Sequence, residues 1–292
     1  MPSTAPRPTP VLNDHCPSAC PACASDRIRS VGALRYSEHP TFAGNPVSLS
    51  HAPTLMACGD CGTWFTANTV AAAQAAHLYA TGSGDTHWAA SAFERGKPPE
   101  IVRALDALLH PRMRVVDVGC NTGELLDFCA RRGATTIGVE LSEVAGRICA
   151  SKGHRVERDL GAITDPVDIV FAFDVVEHLY DLPGFLQAAC SVLRPGGRLV
   201  ILTGDNRSAT ARATRSRWWY AQYPEHVIFP SWRFWCDQGI FTNPVRLKTY
   251  AALSFRSSAK QRVQGALSIL AGTGSGLPLI GPDHHLVMLT RP

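Results

Sequence analysis

The clearest metal-binding pattern in the sequence is a double pair of cysteines. Cys20 and Cys23 form the first C-x-x-C pair, and Cys58 and Cys61 form the second after 34 intervening residues. Four thiolates arranged as two such pairs are typical of a closed, tetrahedral zinc site, which stabilises a fold and leaves no position open for water. A redox-active pair or an iron–sulfur cluster is the alternative, although no βαβ unit surrounds either pair. Cys16, four residues before Cys20, could replace one ligand.

A second chemical signal is the turn at residues 117–123, between a predicted buried strand and a predicted helix. Asp117, Gly119, Asn121 and Gly123 occupy alternate positions in it. This spacing differs from the G-x-G-x-x-G turn of dinucleotide-binding proteins, in which glycines let the backbone approach a pyrophosphate. An acidic residue here would repel a phosphate, but it can accept a hydrogen bond from an ammonium or hydroxyl group. The turn therefore favours a cationic nucleoside without phosphates.

Two more acidic residues follow the next two predicted strands. Glu140 ends the strand predicted over 135–140, where a carboxylate can hold both hydroxyls of a ribose. Asp159 follows the strand predicted over 154–158 and is placed to accept from an exocyclic adenine amine. We expect this site to lie beyond the ends of the strands.

The candidate for proton transfer is the segment Tyr223-Pro224-Glu225-His226, which offers a phenol, a carboxylate and an imidazole within four residues. Histidine is the first choice for a base near neutral pH. The alternative is that Glu225 and His226 cap a helix that begins near Ser231.

Two nearby patterns also have two interpretations each. Glu177 and His178 could act as an acid–base pair. Their position after a predicted strand instead favours capping of the strand-to-helix turn and lining of the cofactor pocket. A basic, aromatic segment could bind an anionic or aromatic acceptor, or could be a solvated loop with two core tryptophans. Its members are Arg207, Arg212, Arg215, Arg217, Trp218, Trp219 and Tyr220.

The elements that must position these residues alternate between helices and short β-branched strands from Pro98 onwards. This alternation predicts a parallel α/β sheet with helices on both faces. The predicted helices cover 99–109, 123–132, 143–152, 183–193 and 231–238. The predicted strands cover 114–118, 135–140, 154–158, 168–173, 198–203, 245–250 and 285–290.

The chain is predicted to have four regions. They are a disordered tail (1–15), a zinc-binding module (16–68), a helical linker that acts as a cofactor lid (69–97) and the α/β domain (98–292). The stretch 251–283 is predicted to be an insertion with an amphipathic helix over 258–270, which would form a lid or a dimer contact.

Composition excludes several classes of protein. The 292 residues are 45% hydrophobic, and the ten cysteines are too few for a disulfide scaffold. The N-terminus lacks a secretory pattern, no stretch is long and apolar enough to span a membrane, and the expected location is the cytoplasm. A formal charge of +4 argues against a nucleic-acid partner. The other cysteines are predicted to pack inside the α/β domain: Cys120, Cys129, Cys149, Cys190 and Cys236.

Residues 98–205 resemble class I S-adenosylmethionine-dependent methyltransferases. The residues that carry the resemblance are Asp117 to Gly123, Glu140, Asp159, the segment 168–179 (DIVFAFDVVEHL) and the segment 193–199 (LRPGGRL). The resemblance implies a Rossmann-like sheet of seven strands with a reversed last strand. It also implies S-adenosylmethionine as cofactor. The pocket residues that it implies are Asp117, Gly119, Asn121, Gly123, Glu140, Leu141, Asp159, Asp174 and Tyr79.

A narrower resemblance concerns the order of the parts. An N-terminal four-cysteine module, a linker (residues 78–85), the methyltransferase core and a Tyr-x-Glu-His segment are similar in order to nucleotide-sugar C-methyltransferases. This resemblance implies that Tyr223, Glu225 and His226 line the acceptor pocket, with His226 or Tyr223 as base, and that residues 79–85 close over the cofactor. The sequence lacks a counterpart of the further C-terminal domain of those enzymes.

The sequence thus predicts an enzyme, either monomer or homodimer, with a structural zinc ion. It would transfer a methyl group from S-adenosylmethionine to a small-molecule acceptor in natural-product or sugar biosynthesis. One alternative is an RNA or nucleoside methyltransferase. The other is a non-catalytic, zinc-containing binding protein with a vestigial methyltransferase fold.

Overall fold

The computed structural model describes residues 9–11, 16–36, 40–49, 51–82, 93–251, 258, 263 and 281–292, with only the backbone at 9–11. The predicted helix over 258–270 and residues 83–92 of the predicted linker lie outside the described residues, apart from positions 258 and 263. Among the described residues no helix is both long enough and apolar enough to cross a membrane.

The N-terminal part is built from short strands. They are β1 (Thr9–Val11), β2 (Ile28–Ala33), β3 (Thr41–Phe42), β4 (Asn45–Leu49), β5 (Thr54–Cys58) and β6 (Trp64–Ala67). Strand β1, within the predicted tail, pairs in parallel with β4, which pairs with β3. Strands β2, β5 and β6 form an antiparallel meander.

The second part alternates helices and strands, as the sequence predicts. Its first elements are α1 (Ala72–Thr81), α2 (Phe93–Gly96), α3 (Pro99–Leu108), β7 (Arg114–Val118), α4 (Glu124–Ala130), β8 (Thr135–Val139), α5 (Glu143–Ser151) and β9 (Arg155–Glu157). They are followed by β10 (Val167–Phe173), α6 (Leu182–Val192), β11 (Leu193–Gly204), α7 (Ala209–Thr214), β12 (Ile228–Phe229), α8 (Trp232–Asp237), β13 (Thr242–Thr249) and β14 (His284–Thr290).

Local chemistry explains where the helices begin. Pro99 opens α3, where its fixed φ suits the first turn. The Ser142 side chain caps α5 by accepting from the backbone N–H of Ala145, and Asp181 caps α6 by accepting from that of Gly184.

The central sheet has seven strands in the order β13-β14-β11-β10-β7-β8-β9. Strands β7 to β11 are parallel to one another, and β14 is antiparallel to both of its neighbours. The predicted Rossmann-like methyltransferase sheet with a reversed last strand is therefore confirmed.

Alternating side chains of the sheet face two apolar layers. In β10, Ile169 and Phe171 pack with helices α2 to α4. Val170 and Ala172 lie in the other apolar layer, with α6, α8 and the cysteine-bearing module (residues 16–68). Helices thus cover both faces, as expected for a parallel sheet whose strands are buried on both sides.

Two regions that the sequence predicts as separate share one sheet. Strand β12, from the C-terminal part, pairs with β6 and completes the order β12-β6-β5-β2. The Ser231 hydroxyl donates to the backbone oxygen of Cys61 at 2.5 Å, and the Asn206 amide donates to that of Gly62 at 2.9 Å. The cysteine-bearing module is therefore continuous with the wall of the α/β domain.

The prediction that all five remaining cysteines are packed inside the domain was wrong for one of them. Cys120, Cys129 and Cys149 are buried and Cys190 is partly buried, but Cys236 is exposed. Cys236 lies on the short helix α8, which buries Phe234 and Trp235 and leaves the opposite face to solvent.

Candidate functional site

The glycine turn connects β7 to α4 at the carboxyl end of the sheet, beside the point where the strand order reverses between β7 and β10. Gly119, Asn121 and Gly123 have φ values of 68°, 47° and 89°. A Cβ atom at Gly119 would lie 2.7 Å from Cγ2 of Val175, and one at Gly123 would lie 2.8 Å from Sγ of Cys149. Both glycines are required sterically, and asparagine tolerates the left-handed backbone at the middle position better than most residues.

Glu140 ties this turn to the next strand. One carboxylate oxygen accepts from the backbone N–H of Asn121 at 2.8 Å, and the other accepts from that of Ser142 at 2.8 Å. Each oxygen keeps a further lone pair for a ligand hydroxyl. Leu141, next in sequence, is 41% exposed, which is unusual for a large apolar residue and suits contact with a flat ring.

Two other predicted pocket residues differ in environment. Asp117 is buried, and burial together with nearby Cys149 and Glu140 holds the pKa of its carboxyl well above its ordinary value. Asp159 is exposed at the carboxyl end of β9, beside the strand that leads to Glu140. A ligand can therefore reach Asp159 directly.

Asp174 follows β10 with a φ of 54° and is exposed. Its carboxylate forms an ion pair with Lys97, at 2.5 Å between Nζ and Oδ2. Sequence reasoning missed Lys97. The one available signal was that it is one of only four lysines and stands two positions before the first predicted helix of the α/β domain.

The predicted proton-transfer segment packs against the residues that follow β10. The rings of His226 and His178 are 4.8 Å apart, edge to face, and the Tyr223 ring lies 5.1 Å from that of His226. Nδ1 of His226 lies 2.6 Å from the backbone oxygen of Tyr220. Burial and the adjacent His178 hold the pKa of His226 well below its ordinary value.

Glu177 is fully buried behind these histidines. Its carboxylate accepts from the Thr203 hydroxyl at 2.9 Å and from the Tyr220 hydroxyl. Its backbone oxygen accepts from the N–H of Val227 at 2.7 Å. Burial, and secondarily the charge of Asp174, raises the pKa of Glu177 to about 7. The sequence did not indicate that Thr203 and Tyr220 hold this carboxylate.

Tyr79 of α1 contacts this cluster, and Glu225 connects it to the N-terminal part. The Tyr79 hydroxyl lies 2.8 Å from Nδ1 of His178, which also lies 3.1 Å from the backbone oxygen of Glu225. The Glu225 carboxylate accepts from the backbone N–H of Ala43 at 2.9 Å. Ser231 caps α8 with its own side chain, so Glu225 does not serve as that cap.

The four paired cysteines converge. Sγ of Cys20 is 3.7 Å from that of Cys61, Sγ of Cys23 is 3.6 Å from that of Cys58, and all four sulfurs lie within 4.8 Å of one another. A tetrahedral zinc ion with bonds of about 2.3 Å requires sulfurs about 3.8 Å apart, so this geometry fits zinc. Cys16 is not in the cluster, since its thiol donates to the Asn68 side-chain oxygen at 2.6 Å.

The seven-stranded sheet, the glycine turn after β7 and the acidic residue Glu140 after β8 define a class I methyltransferase fold. The family model of a methyltransferase domain matches residues 91–243, slightly more than half of the chain. The chain belongs to this methyltransferase domain family.

Curated relatives match part of this region. The chain is 39% identical over 101 residues to the ubiquinone biosynthesis O-methyltransferase of Bradyrhizobium sp. (strain ORS 278), covering 31% of this chain and 40% of that protein. It is 35% identical over 107 residues to the human mitochondrial ubiquinone biosynthesis O-methyltransferase, covering 31% of this chain and 28% of that protein. The matched segments thus span less than half the length of these relatives.

Solved structures also align. A SAM-dependent methyltransferase from Archaeoglobus fulgidus aligns with 68% of this chain and 97% of its own, at 21% identity and a TM-score of 0.48. One from Geobacter sulfurreducens, in complex with S-adenosyl-L-homocysteine, aligns with 71% of this chain and 97% of its own, at 15% identity and a TM-score of 0.47.

Proposed function

We propose that this chain transfers a methyl group from S-adenosylmethionine to a small-molecule acceptor in natural-product or sugar biosynthesis. Family membership and the built turn at the carboxyl edge of the sheet support this proposal. The cofactor would supply a methyl group already activated on a sulfonium. The protein must then hold the two reactants in line and remove a proton from the acceptor.

Different pocket residues would contact different parts of the cofactor. Glu140 is positioned by two backbone N–H groups, which fix its carboxylate for the ribose hydroxyls without a side-chain rearrangement. Gly119, Asn121 and Gly123 keep the turn open, while exposed Leu141 and Asp159 would contact the adenine.

The observation that carries the proposed chemistry is the hydrogen bond of His226. A carbonyl oxygen only accepts, so the hydrogen of the neutral imidazole must be on Nδ1, and Nε2 keeps a free lone pair. The turn and His226 both contact the segment that follows β10, since Val175 packs against Gly119 and the ring of His178 lies 4.8 Å from that of His226. His226 is therefore our candidate base, with Tyr223 and Glu225 beside it.

The acceptor would be a molecule with a removable proton on oxygen or on carbon. The curated relatives carry the name of O-methyltransferases, which favours a hydroxyl group. A carbon next to a ketone is the alternative acceptor that the Tyr-x-Glu-His segment supports.

Calorimetry with S-adenosylmethionine tests the enzyme proposal. Wild-type protein should bind it, and Glu140→Ala should weaken the binding at least tenfold. Absence of binding by the wild type would instead support a vestigial fold, and unchanged binding by Glu140→Ala would contradict the assignment of Glu140 to the cofactor site.

The base is tested with His226→Asn, whose amide can still donate to the Tyr220 oxygen but which lacks the atom equivalent to Nε2. We expect unchanged cofactor affinity and a loss of turnover of about 10²- to 10⁴-fold on phenolic and keto-sugar acceptors, measured as release of S-adenosylhomocysteine. Retained turnover would reduce His226 to a structural role.

We also propose that Cys20, Cys23, Cys58 and Cys61 hold a structural zinc ion. Four sulfur ligands leave no open coordination position, so the ion would order the module and would not activate water. None of the ten cysteines forms a disulfide bond, which fits a reducing compartment such as the cytoplasm. Monomer and homodimer are both compatible with this proposal.

A further inference from the structure

A groove lined mainly by arginines lies away from the proposed reaction site. It has a volume of about 360 Å³ and is formed between the strands of the cysteine-bearing module and the segment that contains α7. Its lining residues are Arg29, Val31, Trp64, Arg212 and Arg215. Three of these five residues are arginines, and they come from two segments more than 180 positions apart in the sequence.

The three guanidinium groups have no protein partner among the described residues. Arg29, Arg212 and Arg215 are exposed, and none of them forms a salt bridge or a side-chain hydrogen bond there. Other arginines of the domain do pair with a carboxylate, for example Arg114 with Asp165 and Arg194 with Asp168. Three cations that share one groove without a carboxylate repel one another, and a bound anion would remove that repulsion.

The groove is held in place by close contacts between its two walls. A Cβ atom at Gly32 would lie 2.7 Å from Oγ of Ser216, so the turn that begins at Arg215 rests directly on strand β2. The Gln222 amide donates to the backbone oxygen of Ser216, and its side-chain oxygen accepts from the N–H of Arg35 at 3.0 Å. Arg215 itself has a φ of 52°, a strained value for a residue with a Cβ.

The floor of the groove separates it from the proposed base. The ring of Trp64 lies 6.2 Å from that of Trp218, which lies 5.3 Å from Tyr220, whose ring lies 4.3 Å from His226. Trp64 is nearly buried and Trp218 is fully buried, so these aromatic side chains form a continuous wall. The groove is a second site and not an extension of the first.

We propose that this groove binds the phosphate or diphosphate group of a small molecule. Planar guanidinium groups match the paired oxygens of a phosphate and make short, charge-assisted hydrogen bonds to it. Val31 and Trp64 supply an apolar surface for the part of the molecule next to the phosphate. A groove of this volume holds one such group, whereas nucleic acid requires an extended basic surface, and the net charge of the chain is only +4.

Calorimetry with inorganic pyrophosphate at low salt tests this site without any methyl acceptor. Arg29→Ala and Arg212→Ala should each weaken pyrophosphate binding at least tenfold. Arg103→Ala is the matched control, since it removes the same charge from an exposed position on helix α3, and its affinity should equal that of the wild type. S-adenosylmethionine binding by all three variants should be unchanged, which separates this site from the proposed cofactor site.

Further ligands identify the source of the phosphate. Uridine 5′-diphosphate carries its phosphates on a nucleoside, and 4′-phosphopantetheine carries its phosphate on an aliphatic chain. The proposal is supported if either ligand binds the wild type more tightly than pyrophosphate does and if Arg212→Ala loses this tighter binding. No pyrophosphate binding by the wild type, or equal weakening in Arg103→Ala, would overturn it. The proposal would also be overturned, in favour of a nucleic-acid surface, if a single-stranded RNA 20-mer bound more tightly than pyrophosphate and if all three variants weakened RNA binding equally.

Discussion

Nδ1 of His226 lies 2.6 Å from the backbone carbonyl oxygen of Tyr220. This contact fixes the tautomer of a buried imidazole, because only the nitrogen can supply the hydrogen. The same residue has His178 as its neighbour, at 4.8 Å between ring centroids, so protonation would place a charge in a buried site next to a second imidazole. The arrangement favours a neutral histidine whose other nitrogen is ready to accept a proton.

The first prediction concerns the pH dependence of turnover. A base works only when unprotonated, and burial with the adjacent His178 lowers the pKa of His226 well below 6.5. Because Glu177 titrates near pH 7 in the same cluster, the test uses Glu177→Gln, for which we expect the acidic limb of the kcat/KM profile to lie well below pH 6.5. A limb at or above pH 6.5 would contradict His226 as the base.

The second prediction concerns the link between the turn and the cofactor. Glu140→Gln keeps the side-chain length but replaces one accepting oxygen by an N–H₂ group, which cannot accept from the backbone N–H that faces it. We expect a loss of affinity for S-adenosylhomocysteine of at least about tenfold, since one charge-assisted bond is worth roughly 1.5–3 kcal/mol. Calorimetry measures this change.

The control for Glu140→Gln is Glu143→Gln. Glu143 stands three positions further along, in the first turn of α5, and its side chain is 70% exposed. Its substitution should leave the affinity for S-adenosylhomocysteine unchanged. Equal affinities of the two variants would argue against a direct role of Glu140.

Much of the sheet and its turn could be predicted from the sequence because the signals are local. Strand β7 has the predicted bounds, 114–118, and α5 begins at the predicted residue, since apolar periodicity and cap residues are read from neighbouring positions. The positive φ values at Gly119 and Gly123 follow from residue type in the same way.

The remainder depends on pairing between distant segments. Strand β12 has two residues, and nothing in them indicates that they pair with β6, more than 160 positions earlier. The position of the Tyr220 ring depends on Gly204, where a Cβ atom would lie 2.4 Å from the ring. It also depends on the carboxylate of Glu177, 43 positions earlier, which accepts from the Tyr220 hydroxyl. Such contacts are specified by tertiary packing and leave no periodic pattern.

The third prediction concerns stability and tests the buried carboxylate of Glu177. Its pKa is raised to about 7 in the folded protein from an ordinary value of 4.5, so the folded state holds this proton more tightly than the unfolded chain does. The contribution of Glu177 to stability is fully present below about pH 4.5 and declines as the pH rises towards 7. By this linkage the decline is at most about 3 kcal/mol.

Glu177→Gln removes this titration. We expect the free energy of unfolding of the wild type, measured relative to that of Glu177→Gln in urea, to fall between pH 4.5 and pH 7. Taking the difference cancels the other titrating groups. The related variant Tyr220→Phe removes a donor to the same carboxylate and should raise its pKa further. A pH-independent difference between wild type and Glu177→Gln would rule out a proton on Glu177 near neutrality.

The last prediction concerns the metal. Purified protein should contain one zinc ion per chain, Cys58→Ser should lose it, and Cys236→Ser, which changes an exposed cysteine outside the cluster, should keep it. Cys16→Ser should also keep it, because the Cys16 thiol contacts Asn68 instead of the cluster. Elemental analysis of the three variants measures this directly.

Loss of the metal should affect turnover more than cofactor binding. Strand β6 holds the segment of the proposed base: the Thr66 hydroxyl donates to the backbone oxygen of His226 at 3.1 Å, and the Thr66 N–H donates to that of Val227 at 2.8 Å. The glycine turn and Glu140 have no such contact with the cysteine-bearing module among the described residues. We therefore expect Cys58→Ser to bind S-adenosylhomocysteine with nearly wild-type affinity while its turnover falls at least tenfold, and parallel losses of both would mean that the module supports the whole fold.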